Sequence, residues 1–260
     1  MSLTTIIFLG LYVIGFILTM YNPLYGLMTY IFEWHNHPPY WWWGKDLPDI
    51  RWAFSIALLT MMSVFLNRKK LPKLENLNYQ PIIWLILFVL NAYFVSFVAA
   101  ILPKESMKKA EDLLKIAIHV SLFVYIIRRP KDYHLLIWAI LLSVGNFGRI
   151  SFQEGSNRDL GVYAPHATGG NAIAAYVMAV LPFYGIMFLR GKRWEKILSV
   201  IIVPFIFNML ILENSRAAIV GLLAVAGFSV IWLKGRTRFR MIMALIFAGV
   251  IFLQLTNEQF

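Results

Sequence analysis

Residues 211–220 read Ile-Leu-Glu-Asn-Ser-Arg-Ala-Ala-Ile-Val and set the guanidinium of Arg216 against a long apolar run. A guanidinium keeps its charge, so at the mouth of an apolar helix it needs water, a carboxylate or an anionic ligand. Glu213 offers the carboxylate, and a lipid headgroup would serve at a membrane surface. A dedicated ligand is the third reading, and residues 149–171 bear on it. They carry Arg149, Arg158, His166 and Asn171, with Gly169-Gly170 just ahead of the next apolar run. Glycines let backbone N–H groups approach a ligand closely, and a helix N-terminus beyond them favours an anion. Arginines beside an aromatic-rich apolar surface suit a ligand with a phosphate head and a greasy tail, because the guanidinium fork matches phosphoryl oxygens. When a sugar leaves a lipid diphosphate, charge develops on the departing group, and fixed cations there lower the barrier. Such chemistry needs neither a metal nor another cofactor, and no outer loop has a pair of acids spaced like a metal site.

The elements that must position these residues follow from composition. Of 260 residues, 60% are hydrophobic and only 14% charged, and the mean hydropathy is +0.67. That is the balance of an integral membrane protein. No cysteine is present, which removes disulfides, thiolate metal sites and thiol nucleophiles. Apolar runs suited to a hydrocarbon core of ~30 Å occupy residues 51–66, 81–102, 113–127, 134–148, 167–189, 197–212, 217–233 and 239–255. Residues 3–32 precede them, lack the features of a cleaved signal, and are interrupted at Tyr21-Asn22-Pro23. Pro23 makes that stretch either one kinked crossing, the preferred reading, or a hairpin of two short helices. The expected fold is an all-α polytopic bundle of nine or ten transmembrane spans, forming a single domain over residues 1–260.

The net charge of +11 would suggest nucleic acid in a soluble protein, but its distribution points to membrane topology instead. Fifteen of the 24 basic residues fall in alternate loops, at Arg68 to Lys73, Arg128 to Lys131, Arg190 to Lys196 and Lys234 to Arg240. By the positive-inside rule these loops are cytoplasmic and the intervening ones face outward. One outward loop, residues 33–43, contains Trp34, His35, His37, Trp41, Trp42 and Trp43. Its tryptophans read as an interfacial aromatic belt or as stacking surfaces for sugar. His35 and His37 have no third ligand at a recognisable spacing, so no metal site is expected. Residues 103–112 read as a solvated amphipathic cap, and His119 as a hydrogen-bonding group in helix packing.

At this point the sequence resembles a known family. Gly161-Val162-Tyr163-Ala164-Pro165-His166, Asn171-Ala172-Ile173-Ala174 and Leu181-Pro182 are similar to the G-P, N-x-x-A and L-P pattern of the O-antigen ligase and polymerase superfamily of membrane glycosyltransferases. Asn214-Ser215-Arg216-Ala217 looks like its S-R-G/A motif, and the order of segments resembles the exosortase-associated O-glycosylation ligase branch. The resemblance implies a GT-C-like fold in a bacterial inner membrane with its site facing the periplasm. It implies transfer of a glycan from an undecaprenyl-diphosphate-linked donor to a lipid or protein acceptor. Arg216 would be the catalytic cation on the diphosphate, with Arg149, Arg158, His166, Asn171 and Ser215 binding substrate. Arg149 matches only in charge a lysine frequent in that branch. Family members continue beyond a span like 239–255 into a large outer loop bearing further arginines and a histidine. The chain is therefore expected to be the N-terminal part of a longer protein, with the donor half of a site and without its general base.

A polymerase of the same superfamily would share the donor site. Two other classes compete, and one of them, a non-catalytic membrane scaffold, is the default without the motif match. A flippase or transporter of lipid-linked sugars would place ionisable groups near the bilayer midplane and show internal repeats, whereas here the charges cluster at span ends and no repeat is evident.

Overall fold

The computed structural model describes residues 3–69, 71, 79–154, 170–212 and 216–257. They form ten α-helices, two short 3-10 helices and no strand: α1 (Leu3–Tyr21), α2 (Pro23–His35), α3 (Trp52–Asn67), α4 (Gln80–Val98), α5 (Pro103–Ile126), α6 (Pro130–Glu154), α7 (Gly170–Arg190), α8 (Arg193–Leu212), α9 (Arg216–Trp232) and α10 (Gly235–Asn257). Five of these, α1, α4, α6, α7 and α8, are long and apolar enough to cross a membrane, and α3 with most of α9 is apolar but shorter. The all-helical expectation holds, and the chain is compatible with a multi-pass membrane protein.

Local chemistry explains where helices begin. Proline opens α2, α5 and α6, where its fixed φ suits a helix and its missing N–H costs nothing. At the start of α8 the Glu195 carboxylate accepts the Lys192 backbone N–H at 2.5 Å, one arm of a capping box. Gly235, with φ +57°, supplies the left-handed residue between α9 and α10. The three C-terminal carbonyls Val230, Ile231 and Leu233 of that turn accept from Arg238 at 2.8–2.9 Å.

The chain divides into two compact units. The first comprises residues 1–34 and 45–138. Here the kinked single crossing expected for residues 3–32 is replaced by a hairpin. Pro23 ends α1 and starts α2, and the two fold back so that Phe8 and Phe32 stack at 5.5 Å and Gly15 meets Thr29. α3 runs parallel to α1, with Tyr12 donating to the Trp52 carbonyl at 2.9 Å and Ser63 to the Thr19 carbonyl at 2.5 Å. The seam is built of small residues: Gly26 lies against Thr19 and Thr60, and each threonine hydroxyl is satisfied by a carbonyl of its own helix. Leu24, Leu27, Val64 and Ile126 form a core at one end, beside the basic ends of α3 and α5. Residues 103–112, expected as a solvated amphipathic cap, are mostly exposed and form the first turns of α5, which packs antiparallel on α4 with the Ser96 and Ser106 hydroxyls 2.8 Å apart. His119 bonds the Lys115 carbonyl at 2.7 Å and stacks on Tyr30 at 4.4 Å, a packing role as expected.

The second unit comprises residues 35–44 and 139–260. Its core is the meeting of α6, α7 and α8 around Leu141, Val144, Val177, Tyr184, Ile206 and Met209, all nearly or wholly buried. Gly145 and Gly148 let α6 approach α8 so closely that a Cβ on Gly148 would lie 3.1 Å from the Phe205 carbonyl. The Tyr184 hydroxyl donates to the Leu141 carbonyl and so fixes α7 on α6. α7 also packs against α9, with Met178 beside Gly221. Pro182 and Pro204 sit inside α7 and α8, a use of proline that membrane-type helices tolerate when neighbours satisfy the freed carbonyls.

Candidate functional site

One polar chain in the second unit gathers groups from three parts of the sequence. It starts at the loop of residues 35–44, whose two 3-10 helices fold it on itself. The Trp41 and Gly44 backbone N–H groups bond the Pro38 and Trp41 carbonyls, each at 3.0 Å, and a Cβ on Gly44 would strike the Pro38 carbonyl. Only glycine fits there. Trp41 and Trp43 are 4% and 3% exposed, and Trp41 meets Phe147 edge-on at 6.0 Å. These two rings are the loop's anchor in protein and neither a membrane belt nor an open stacking surface for sugar, which corrects both sequence readings for Trp41 and Trp43.

The anchored loop presents His35 and Asn36, 6% and 5% exposed. Asn36 Oδ1 accepts from Asn146 Nδ2 at 2.9 Å, Asn146 Oδ1 accepts from Arg149 Nε at 3.0 Å, and Gln153 Oε1 accepts from an Arg149 Nη at 2.6 Å. His35 Nε2 lies 2.7 Å from the Tyr176 hydroxyl on α7. Asn146, Arg149 and Gln153 share one face of α6 at i, i+3 and i+7. Arg149 is half-buried, and its partners among the described residues are both neutral amide oxygens. A guanidinium has five N–H donors, so the amides aim it without cancelling its charge. The arrangement can hold an oxyanion, and a planar fork pre-set by two hydrogen bonds loses little freedom in doing so.

No family model, curated protein or solved structure matches this chain. The site therefore stands on its own geometry.

Of the donor-site residues expected from sequence, Arg149 is the one whose side chain is described, and it enters the polar chain. Its placement differs from expectation: α6 continues to Glu154, so Arg149 is a helical residue and not the start of an outer loop. Buried Ile150 and Ser151 carry the helix onward, because their packing outweighs the polar character of the segment. Asn171 falls in the first turn of α7, five residues before Tyr176, and Arg216 is the first residue of α9. Arg158, His166 and Ser215 lie outside the described residues. Sequence reasoning missed Asn36, Asn146, Gln153 and Tyr176. The helical spacing of Asn146, Arg149 and Gln153 was the available signal; nothing in the sequence links Asn36 or Tyr176 to them. Among the described residues no group of three His, Asp or Glu side chains is placed to hold a metal.

Proposed function

We propose that this chain acts in the transfer of a glycan from an undecaprenyl-diphosphate-linked donor to a lipid or protein acceptor, as a ligase or polymerase at the outer face of a bacterial inner membrane. The reading includes nine or ten crossings in a GT-C-like arrangement. The observation that supports it best is the Arg149 guanidinium, held by neutral amides at the end of an apolar helix and so able to spend its charge on a bound anion. In this reading Arg149 and Arg216 grip the diphosphate, and the developing charge on the leaving group is met by fixed cations. Arg158, His166, Asn171 and Ser215 complete the donor site by resemblance.

The test is glycan transfer from the lipid-linked donor in membranes carrying the full-length protein, with Arg149→Ala and Arg216→Ala compared at equal protein level. Losing one preorganised charge donor is expected to cut the rate about 100-fold. Transfer that stays within twofold of the unaltered protein in both variants ends the proposal.

A further inference from the structure

The first unit has a groove of its own. It lies between the end of α4 and the start of α5, measures about 400 Å³, and is lined by Ser96, Phe97, Lys104, Met107, Lys108 and Glu111 among others. Lys104 and Lys108 are four residues apart on one helix face and both exposed, Lys108 within electrostatic reach of Asp112. The opposite wall is greasy. Phe97 is 75% exposed and Ile101, at the tip of the turn, 97%. Two ammonium groups thus stand beside an apolar wedge at the end of a helix long enough to cross a membrane.

We propose that this groove binds the headgroup of an anionic phospholipid, with Lys104 and Lys108 on the phosphate oxygens and an acyl chain along Phe97 and Met107. Charge selects the ligand. Two lysines and Glu111 sum to one positive charge on the groove, which a phosphodiester's single negative charge neutralises. Inorganic phosphate carries between one and two negative charges near neutral pH, so Glu111 repels it more than a singly charged phosphodiester, and it gains nothing from the apolar wall. Lysine ammonium groups, flexible and point-like, suit a headgroup that arrives in many orientations. The site is separate from the Arg149 chain and does not depend on the function proposed for it.

Native mass spectrometry of protein released from bilayers of mixed phosphatidylglycerol and phosphatidylcholine tests this. The unaltered chain is expected to retain phosphatidylglycerol selectively, and Lys104→Gln/Lys108→Gln to bind the tightest-held copy about tenfold more weakly. Lys104→Arg/Lys108→Arg should retain it. Met107→Trp, which fills the groove and keeps both lysines, should lose it, so the proposal stays testable if the glutamine variant fails to fold. Equal retention of the two lipids, or undiminished phosphatidylglycerol in the glutamine or tryptophan variant, overturns the proposal. Displacement of the lipid by excess inorganic phosphate would reassign the groove to the free anion and overturn it as well.

Discussion

Asn146 joins segments 110 residues apart, donating its amide N–H to Asn36 and accepting the Arg149 N–H on its amide oxygen. Because both of its ends are used, the two obvious substitutions separate folding from function. Asn146→Ala leaves Asn36 and Arg149 each short of a partner, and is expected to cost about 1–3 kcal/mol, read as a lower thermal midpoint in detergent. Asn146→Asp instead sets a carboxylate on Arg149. It also withdraws the N–H that Asn36 accepts, so stability should fall by about 1 kcal/mol, while glycan transfer falls at least tenfold, because the guanidinium's charge is then satisfied inside the protein. If Asn146→Asp transfers normally, Arg149 does not act through free charge. At this scale the sequence was half legible. Arg149 stood out because a permanent cation in an apolar chain needs an explanation, and its helical partners lie within one stride of it. Asn36 did not, since an amide's hydrogen bonds are local and direction-dependent and leave no pattern that reaches across so much chain. Trp41 and Trp43 misled for a related reason: an amphipathic ring reads the same whether it meets lipid, sugar or protein.

Gly145 and Gly148 make the close crossing of α6 and α8, and through it hold the face that carries Asn146 and Arg149. Gly148→Leu must push apart two backbones and is expected to destabilise the second unit by about 1–3 kcal/mol, with Gly148→Ala intermediate; unfolding in mixed micelles measures both. At the α9–α10 turn, Arg238→Ala gives up three carbonyl contacts and should speed backbone hydrogen exchange at residues 230–233 by about fivefold, with little change elsewhere. Most elements could be read from hydropathy: the run expected at 51–66 is the helix Trp52–Asn67, and that at 239–255 is Gly235–Asn257. The errors share one cause. Hydropathy measures solubility in lipid, and charged turns such as those of α5 before Leu113, or the last turn of α6, are good helix in spite of it. Proline was read for what it breaks, yet at residue 23 it also begins the returning helix.

Each unit is organised by its own ends. In the first, the α1–α2 hairpin puts Leu3 and Trp34 at one end and Asn22 at the other, with Arg68 and Lys69 beside the latter. The absence of native cysteine makes the arrangement directly measurable. Single substitutions Leu3→Cys and Lys45→Cys should react with a membrane-impermeant maleimide in intact cells, and Asn22→Cys and Lys69→Cys only in inverted vesicles. Reaction of Leu3→Cys and Asn22→Cys from the same side would rule out a membrane-crossing hairpin. The second unit holds its loop differently, closed on itself where the Gly44 backbone rests on Pro38. A ring with so little slack has few conformations to surrender when something docks on it. Anion capture at Arg149, which this loop supports through Asn36 and Asn146, should therefore run as a single fast phase limited by encounter, with no slow, concentration-independent step from loop rearrangement.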